Sequence, residues 1–159
     1  MVTNDFPPRV GGVNGYVAEL MRRFPPGDVT VFAADWLDAP AFDAPYPQRV
    51  VRWPAKGMYP TAPVRDRVEE LVRETGADIV LFGAAAPLAL MGRSIQRRTG
   101  IPYATFTHGV EVWAGQVPVT RGLLGSVTRG AVLTMGVSDW AVQQLRQGTE
   151  QVSSSPPGG

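Results

Sequence analysis

Short apolar runs alternate with amphipathic segments along the 159 residues of the chain. Several runs rich in β-branched and aromatic residues predict strands, and they cover 28–34, 49–53, 78–83, 101–109 and 131–138. The run at 78–83 is almost continuously apolar, which is typical of a parallel strand that is buried on both faces. The Pro-, Asp- and Ala-rich segment between the first two runs is expected to be a loop.

Apolar residues at helical spacing separate these runs. The first predicted helix ends at the breaker sequence 25–27, and its apolar face consists of Val17, Leu20, Met21 and Phe24. The second covers 61–76, with Thr61 at its start and Gly76 at its end, and its stripe consists of Val64, Val68, Leu71 and Val72. Further helices are predicted at 87–100, 119–130 and 139–147.

This alternation of strands and helices predicts an α/β fold of the Rossmann-like class, a mostly parallel sheet with helices on both faces. Only Met1, Val2 and Thr3 precede the first polar turn, so the first strand is expected to be clipped. We expect one domain over 1–148 and a disordered Ser/Pro/Gly-rich tail over 149–159.

The composition excludes several classes of site. A formal net charge of +1, with no basic stripe, argues against nucleic acid as a partner. The chain has no cysteine and one histidine, so neither a thiolate site nor a histidine metal cluster is expected. No apolar run has the length of a membrane span and no signal-peptide pattern is present, so we expect a cytoplasmic protein.

The stretch NDFPPRVGGVNGYVAEL raises the question why two adjacent glycines, Gly11 and Gly12, precede a helix. Glycine lets backbone N–H groups approach a phosphate, and a helix N-terminus adds favourable partial charge. The spacing is not the dinucleotide fingerprint G-x-G-x-x-G. A tight turn explains this motif as well as an anion site does.

The single histidine, His108, lies where a predicted strand ends, with Gly109 directly after it. Ligands of parallel sheets bind beyond the carboxyl ends of the strands, so this position favours a functional role over a structural hydrogen bond. Glu111 could orient the ring or bind a hydroxyl group, although a solvated carboxylate explains it more simply.

Other strand ends offer further candidates for a ligand-binding cleft at this edge of the sheet. Gly83 and Ala84 follow a buried strand and leave room for a ligand, or else allow close packing of a helix on the sheet. Ser138 could line the cleft or cap the helix that follows it.

The segment RWPAKGMYPTAPVR mixes basic and aromatic residues. Arg52, Lys56 and Tyr59 are candidates for contact with a lipid headgroup, because such side chains suit a membrane interface. A solvated Pro-rich loop is the alternative.

Four segments in this order resemble the N-terminal domain of the family 4 glycosyltransferases: TNDFPPRVGGVNGYVAEL, VVRWP, FGAAAPLALM and THGVEVW. The resemblance covers about residues 2–147 and is greatest to the actinobacterial phosphatidylinositol-mannoside mannosyltransferases. It implies half of a GT-B architecture, in which two Rossmann-like domains face each other across a cleft.

The resemblance implies transfer of mannose from GDP-mannose to a phosphatidylinositol-mannoside lipid, with retention of configuration and without a metal or cofactor. Gly11 and Gly12 would approach the donor diphosphate, and His108 would contact the transferred sugar. The helix that begins near Asn14 would offer its N-terminus to the diphosphate, and Asn14 itself could line the cleft. A lipid acceptor further implies peripheral contact with the inner face of the membrane.

The family's donor-binding motifs, an Arg/Lys pair and E-x7-E, belong to a C-terminal domain and are not found in this sequence. We therefore expect little or no turnover from this chain alone, with a separate C-terminal half as a potential partner. The alternative is a non-catalytic Rossmann-like module that binds an anion or a lipid headgroup.

Overall fold

The computed structural model describes residues 1–108 and 125–136. Six strands of this part of the chain form one parallel sheet: β1 (Val2–Thr3), β2 (Thr30–Ala34), β3 (Arg49–Trp53), β4 (Val80–Phe82), β5 (Tyr103–Thr107) and β6 (Leu133–Gly136). The strand order is β3-β2-β1-β4-β5-β6, which is the order of a doubly wound Rossmann fold. The predicted fold class is confirmed.

The helices are α1 (Gly12–Arg22), α2 (Ala39–Asp43), α3 (Ala62–Thr75) and α4 (Gly92–Thr99), and a 3₁₀ helix at Leu88–Met91 leads into α4. Residues 125–130 are also helical. The stripe predicted for α3 is buried throughout, and Gly76 ends that helix in the left-handed conformation at φ 63°.

The core has one part on each face of the sheet. Alternate residues of a strand point to opposite faces, and β2 follows this rule. Phe32 packs with α3 and α4, whereas Val31 and Ala33 pack with α1 and with Phe6. Helices therefore cover both faces, and the loops that follow the strands meet at one edge of the sheet.

Three local predictions are wrong. The segment expected to be a loop contains α2, which is held by edge-to-face contacts of Phe6 with Phe42 and Tyr46 at centroid distances of 5.8 and 5.3 Å. Helix α1 ends at Arg22, so Phe24 lies beyond it and is 41% exposed instead of joining the apolar face. The fourth strand is shorter than predicted, because its pairing with β5 begins only at Val80. Ile79, which the apolar run predicts to be buried in this strand, is 46% exposed.

Strand β1 has only two residues, yet it lies in the middle of the sheet. Val2 pairs with Phe32 of β2 on one side and with Phe82 of β4 on the other. The predicted helix at 139–147, the end of the domain at 148 and the tail at 149–159 lie outside the described residues.

Candidate functional site

The segment after β1 is anchored at its start and exposed at its end. Phe6 is fully buried among the aromatic residues that hold α2, whereas Val10 is 97% exposed. The guanidinium of Arg9 lies 5.2 Å from the centre of the Trp36 ring, which links this segment to the loop after β2. The exposed residues 9–12 therefore have a fixed position at the carboxyl edge of the sheet.

Gly11 and Gly12 form the turn at the start of α1, and no atom of residues 1–108 or 125–136 crowds them. The Gly11 carbonyl accepts the first helical bond from the Gly15 N–H at 3.1 Å. A Cβ at Gly12 would meet no atom within 4 Å, and one at Gly11 would make an ordinary contact with Asn14. Gly11 is extended at φ 165° and Gly12 does not have a left-handed backbone, so the described chain does not itself require glycine here.

The N-terminus of α1 lacks a side-chain cap and an acidic residue in its first turn. The first N–H groups of a helix have no intrahelical partner, and together with the helix dipole they attract anions. Among the described residues, no atom would lie within 4 Å of a Cβ added at Gly12. Binding of an anion by these donors stays a prediction.

Asn14 supports the turn from inside. Its side chain is buried at 4% exposure, and its Nδ2 donates to the Arg9 carbonyl at 2.7 Å. The amide therefore holds residues 9–14 together. The role of Asn14 in lining the cleft stays a prediction.

His108 follows β5 directly, and its Nε2 lies 2.7 Å from the Gly83 carbonyl oxygen. Gly83 itself follows β4, so two of the predicted site residues are in direct contact. The ring of Tyr16 in α1 lies edge-on against Phe106 of β5, with centroids 6.4 Å apart. This contact seats the first turns of α1 against the strand that leads to His108.

Gly83 is required by packing. A Cβ there would lie 2.5 Å from Oγ1 and 2.8 Å from Cβ of Thr3, distances at which something must shift. The Gly83 N–H donates to the Val2 carbonyl at 2.9 Å. Ala84 is half-buried in the same turn, and its contact with a ligand stays a prediction.

Arg52 is an internal tie and not an exposed contact. Its guanidinium binds both carboxylate oxygens of Asp43, at 2.9 and 2.6 Å, and donates to the Ala34 and Pro7 carbonyls. These bonds occupy most of its donors, which does not favour the predicted contact with a lipid acceptor.

Lys56 and Tyr59 lie exposed on the loop after β3, and Tyr59 is 68% exposed. Asn4 holds this loop against the end of β1. Its Nδ2 donates to the Met58 carbonyl at 2.9 Å, and its Oδ1 accepts from the Met58 N–H at 2.7 Å. Both exposed side chains therefore lie at the same edge of the sheet as Gly12, and their contact with an acceptor stays a prediction.

Sequence reasoning did not select Thr3, Asn4 or Asp43. Asn4 lies within the quoted glycine-rich segment, but nothing in its spacing indicates a partner 54 residues away. Three predicted residues, Gly109, Glu111 and Ser138, lie outside the described residues.

A cavity of about 620 Å³ opens at the opposite edge of the sheet, where Met1, Val29, Ile79 and Val72 are among its lining residues. It is far from the strand ends that carry the candidate residues. Within residues 1–108 and 125–136, no cluster of three or more His, Cys, Asp or Glu side chains could hold a metal ion. No helix in the same ranges is both long and apolar enough to cross a bilayer.

Comparison with known proteins extends beyond the described residues. The family model for Glycosyltransferase Family 4 matches residues 10–157. The chain belongs to this family. The resemblance expected from the four sequence segments is thereby confirmed, and glycosyltransferases are the class of enzyme to which the chain is related.

Two curated relatives are similar to most of this chain. A Corynebacterium glutamicum protein, named GDP-mannose-dependent monoacylated alpha-(1-6)-phosphatidylinositol monomannoside mannosyltransferase, is 36% identical over 149 residues, which are 92% of this chain and 39% of the relative. A Mycolicibacterium smegmatis protein, named GDP-mannose-dependent alpha-(1-6)-phosphatidylinositol monomannoside mannosyltransferase, is 39% identical over 145 residues, or 87% of this chain and 37% of the relative. The chain thus spans less than two fifths of the length of these relatives.

A solved structure agrees on the fold. Anabaena Alr3699/HepE, crystallised in complex with UDP, superposes with a TM-score of 0.69 at 14% sequence identity, over 93% of this chain and 40% of that one. At this identity the likeness concerns the fold alone.

Proposed function

We propose that this chain is the acceptor-side domain of a retaining mannosyltransferase that moves mannose from GDP-mannose to a phosphatidylinositol-mannoside lipid. The observation that carries the proposal is the uncrowded Gly11-Gly12 turn at the uncapped start of α1. The names of the two curated relatives support the donor and the class of acceptor.

The turn gives the donor diphosphate a place to bind. Backbone N–H groups at the start of α1 would donate to phosphate oxygens, and the missing Cβ atoms let those oxygens come close. Preorganised donors of this kind stabilise the charge that develops on a leaving diphosphate. The diphosphate would fill the space above Gly12, where an added Cβ would meet no atom of the described residues within 4 Å.

His108 contacts the transferred sugar in this arrangement. It lies at the end of β5, and α1 reaches that strand through the Tyr16–Phe106 contact. The lipid acceptor approaches over the loop that carries Lys56 and Tyr59, which Asn4 fixes beside β1. Peripheral contact with the inner face of the membrane follows from a lipid acceptor and does not need a membrane span.

The test is transfer of radiolabelled mannose from GDP-mannose to a phosphatidylinositol monomannoside, with a thermal melt on the same sample. We expect the folded chain of 159 residues to give little or no transfer on its own and to bind the donor and the acceptor separately. Transfer by this chain alone that is lost in His108→Ala would support the reaction but would refute the acceptor-side assignment, because the site would then be complete in this chain.

Binding is tested by titrating ¹⁵N-labelled chain with GDP-mannose and watching the backbone amides of the turn. We expect shifts at Gly12 that weaken in Gly12→Ala. The matched control is Gly15→Ala, because a Cβ at Gly15 also meets nothing within 4 Å but its N–H is already bonded to Gly11. Lipid binding without any nucleotide effect would favour the non-catalytic headgroup module, and a folded chain that binds neither would refute both functions.

A further inference from the structure

His108 and Gly83 make a contact that fixes the chemistry of the imidazole ring. Nε2 of His108 lies 2.7 Å from the Gly83 carbonyl oxygen. A backbone carbonyl can only accept a hydrogen bond, so Nε2 must carry the hydrogen. In the neutral ring the nitrogen without a proton is therefore Nδ1.

The acceptor of this bond is itself held in place. The Gly83 N–H donates to the Val2 carbonyl at 2.9 Å, which ties the turn to β1. From the other side, Thr3 comes so close that a Cβ on Gly83 would lie 2.5 Å from the Thr3 hydroxyl oxygen. Thr3 is 2% exposed, and its hydroxyl accepts from the Asp5 N–H at 2.9 Å.

We propose that Gly83, whose backbone packs against Thr3 of β1, is the positioning residue for His108, and that its carbonyl selects the Nε2–H tautomer and the orientation of the ring. The inference rests on the proposed function only in giving that ring a sugar to contact. The tautomer itself is a property of this chain, and it decides which ring nitrogen of the neutral histidine can accept a hydrogen bond.

Thr3 has a second part in this proposal. Its side chain fills the place where a Cβ of residue 83 would lie, so that this Cβ would be 2.5 Å from Oγ1 and 2.8 Å from Cβ of Thr3. A larger residue at 83 would be pushed away from Thr3 and would carry its carbonyl out of line with the imidazole. A substitution at residue 83 would thus change the orientation of the His108 ring through this one hydrogen bond.

The tautomer can be measured directly because the chain contains one histidine. A long-range ¹H–¹⁵N correlation spectrum of the labelled chain with a neutral ring distinguishes the protonated nitrogen from the unprotonated one. A free imidazole already favours Nε2–H, so the reference is the same chain unfolded in urea. We expect the ratio of Nε2–H to Nδ1–H to be about fivefold higher in the folded chain, as one ordinary hydrogen bond provides. A ratio equal to or lower than that of the unfolded chain would overturn the proposal.

A set of variants tests how the tautomer is selected. Gly83→Ala is expected to reduce the excess of Nε2–H in the folded chain, and Thr3→Gly combined with Gly83→Ala to restore it, because the double variant removes the atoms that collide. Gly15→Ala is the control and should leave the spectrum of the ring unchanged. Gly83→Ala with the tautomer excess of the unsubstituted chain, or a folded double variant without recovery, would overturn the positioning role.

If a variant fails to fold, the tautomer of the unsubstituted chain still decides the inference. Its outcome is also separate from that of the mannosyl-transfer assay, since the spectrum needs neither donor nor acceptor. A folded chain that has the Nε2–H tautomer and binds neither GDP-mannose nor the lipid would refute the proposed function alone. A chain that binds both and has the Nδ1–H tautomer would refute only the role assigned to Gly83.

Discussion

The turns after β1 and after β4 lie side by side at the carboxyl edge of the sheet, and their glycines have different surroundings. Gly12 is exposed, and a Cβ added to it would meet nothing within 4 Å. Gly83 is buried, and its Cβ would lie 2.5 Å from the Thr3 hydroxyl oxygen. Packing explains the glycine at 83, whereas at 12 it leaves space that a ligand can fill.

The two turns also differ in how they are held. Side chains hold the first one, as Arg52 donates to the Pro7 carbonyl and the buried Asn14 to the Arg9 carbonyl. The second is held by its own backbone through the bond from the Gly83 N–H to the Val2 carbonyl. The exposed turn therefore depends on side-chain hydrogen bonds for its shape, while the buried turn depends on a backbone hydrogen bond to β1.

The largest loss of stability is expected for Arg52→Ala, which removes the hydrogen bond from Arg52 to the Pro7 carbonyl next to the exposed turn. This change leaves the Asp43 carboxylate without its partner in a site where the two side chains are 13% and 19% exposed. Breaking a buried pair in this way costs about 3 kcal/mol, the lower end of the usual range because these groups keep some contact with water. The free energy of unfolding in urea measures the loss.

The double variant Arg52→Ala with Asp43→Ala is the control, because it removes the unpaired charge together with its partner. It should be more stable than Arg52→Ala alone. Equal stability of the single and double variants would mean that the unpaired Asp43 carboxylate costs nothing, which would contradict a buried ion pair.

A substitution in the buried turn comes next in size. Gly83→Ala forces a methyl group against Thr3, and overpacking of this kind costs about 2 kcal/mol. Combining it with Thr3→Gly should recover part of the loss, although glycine also weakens the strand. Urea unfolding of the four chains in this double-mutant cycle gives the coupling, and a value near zero would contradict the close contact.

Most elements of the sheet could be predicted from the sequence, because their apolar periodicity and end signals are local. Helix α2 could not, since Ala39–Asp43 lies among prolines and is held by aromatic partners distant in sequence. The same limit applies to the site. Gly12 and Gly83 have similar sequence contexts, and only the position of Thr3 distinguishes them.

Arg52 shows that the partners of a charged side chain also cannot be predicted from the sequence. Its basic side chain near Trp53 and Lys56 suits a lipid headgroup, but Asp43 and two carbonyl groups bind it internally. The sequence indicates that a cation is present and cannot tell how many of its donors the fold already uses.

A smaller effect is expected at the loop that carries the acceptor contacts. Asn4→Ala removes both hydrogen bonds to Met58, which lie in a partly buried site, and should cost about 1–2 kcal/mol. Amide hydrogen exchange around residue 58 should speed up at the same time. Tyr59→Ala serves as the control, because its exposed side chain contributes little to stability, and an equal loss in both variants would contradict the tie.

The smallest change in stability is expected for Gly12→Ala. Alanine is a better helix former than glycine and the added Cβ has open space, so the free energy of unfolding should stay the same or rise by up to about 1 kcal/mol. Binding of GDP-mannose, measured by amide shifts, should nevertheless weaken because the methyl group occupies the space above the N–H donors. Because packing explains the glycine at 83, Gly83→Ala should lower the free energy of unfolding and change the binding of GDP-mannose less. Gly12→Ala that lost stability and kept its affinity would show that the two glycines serve the same purpose.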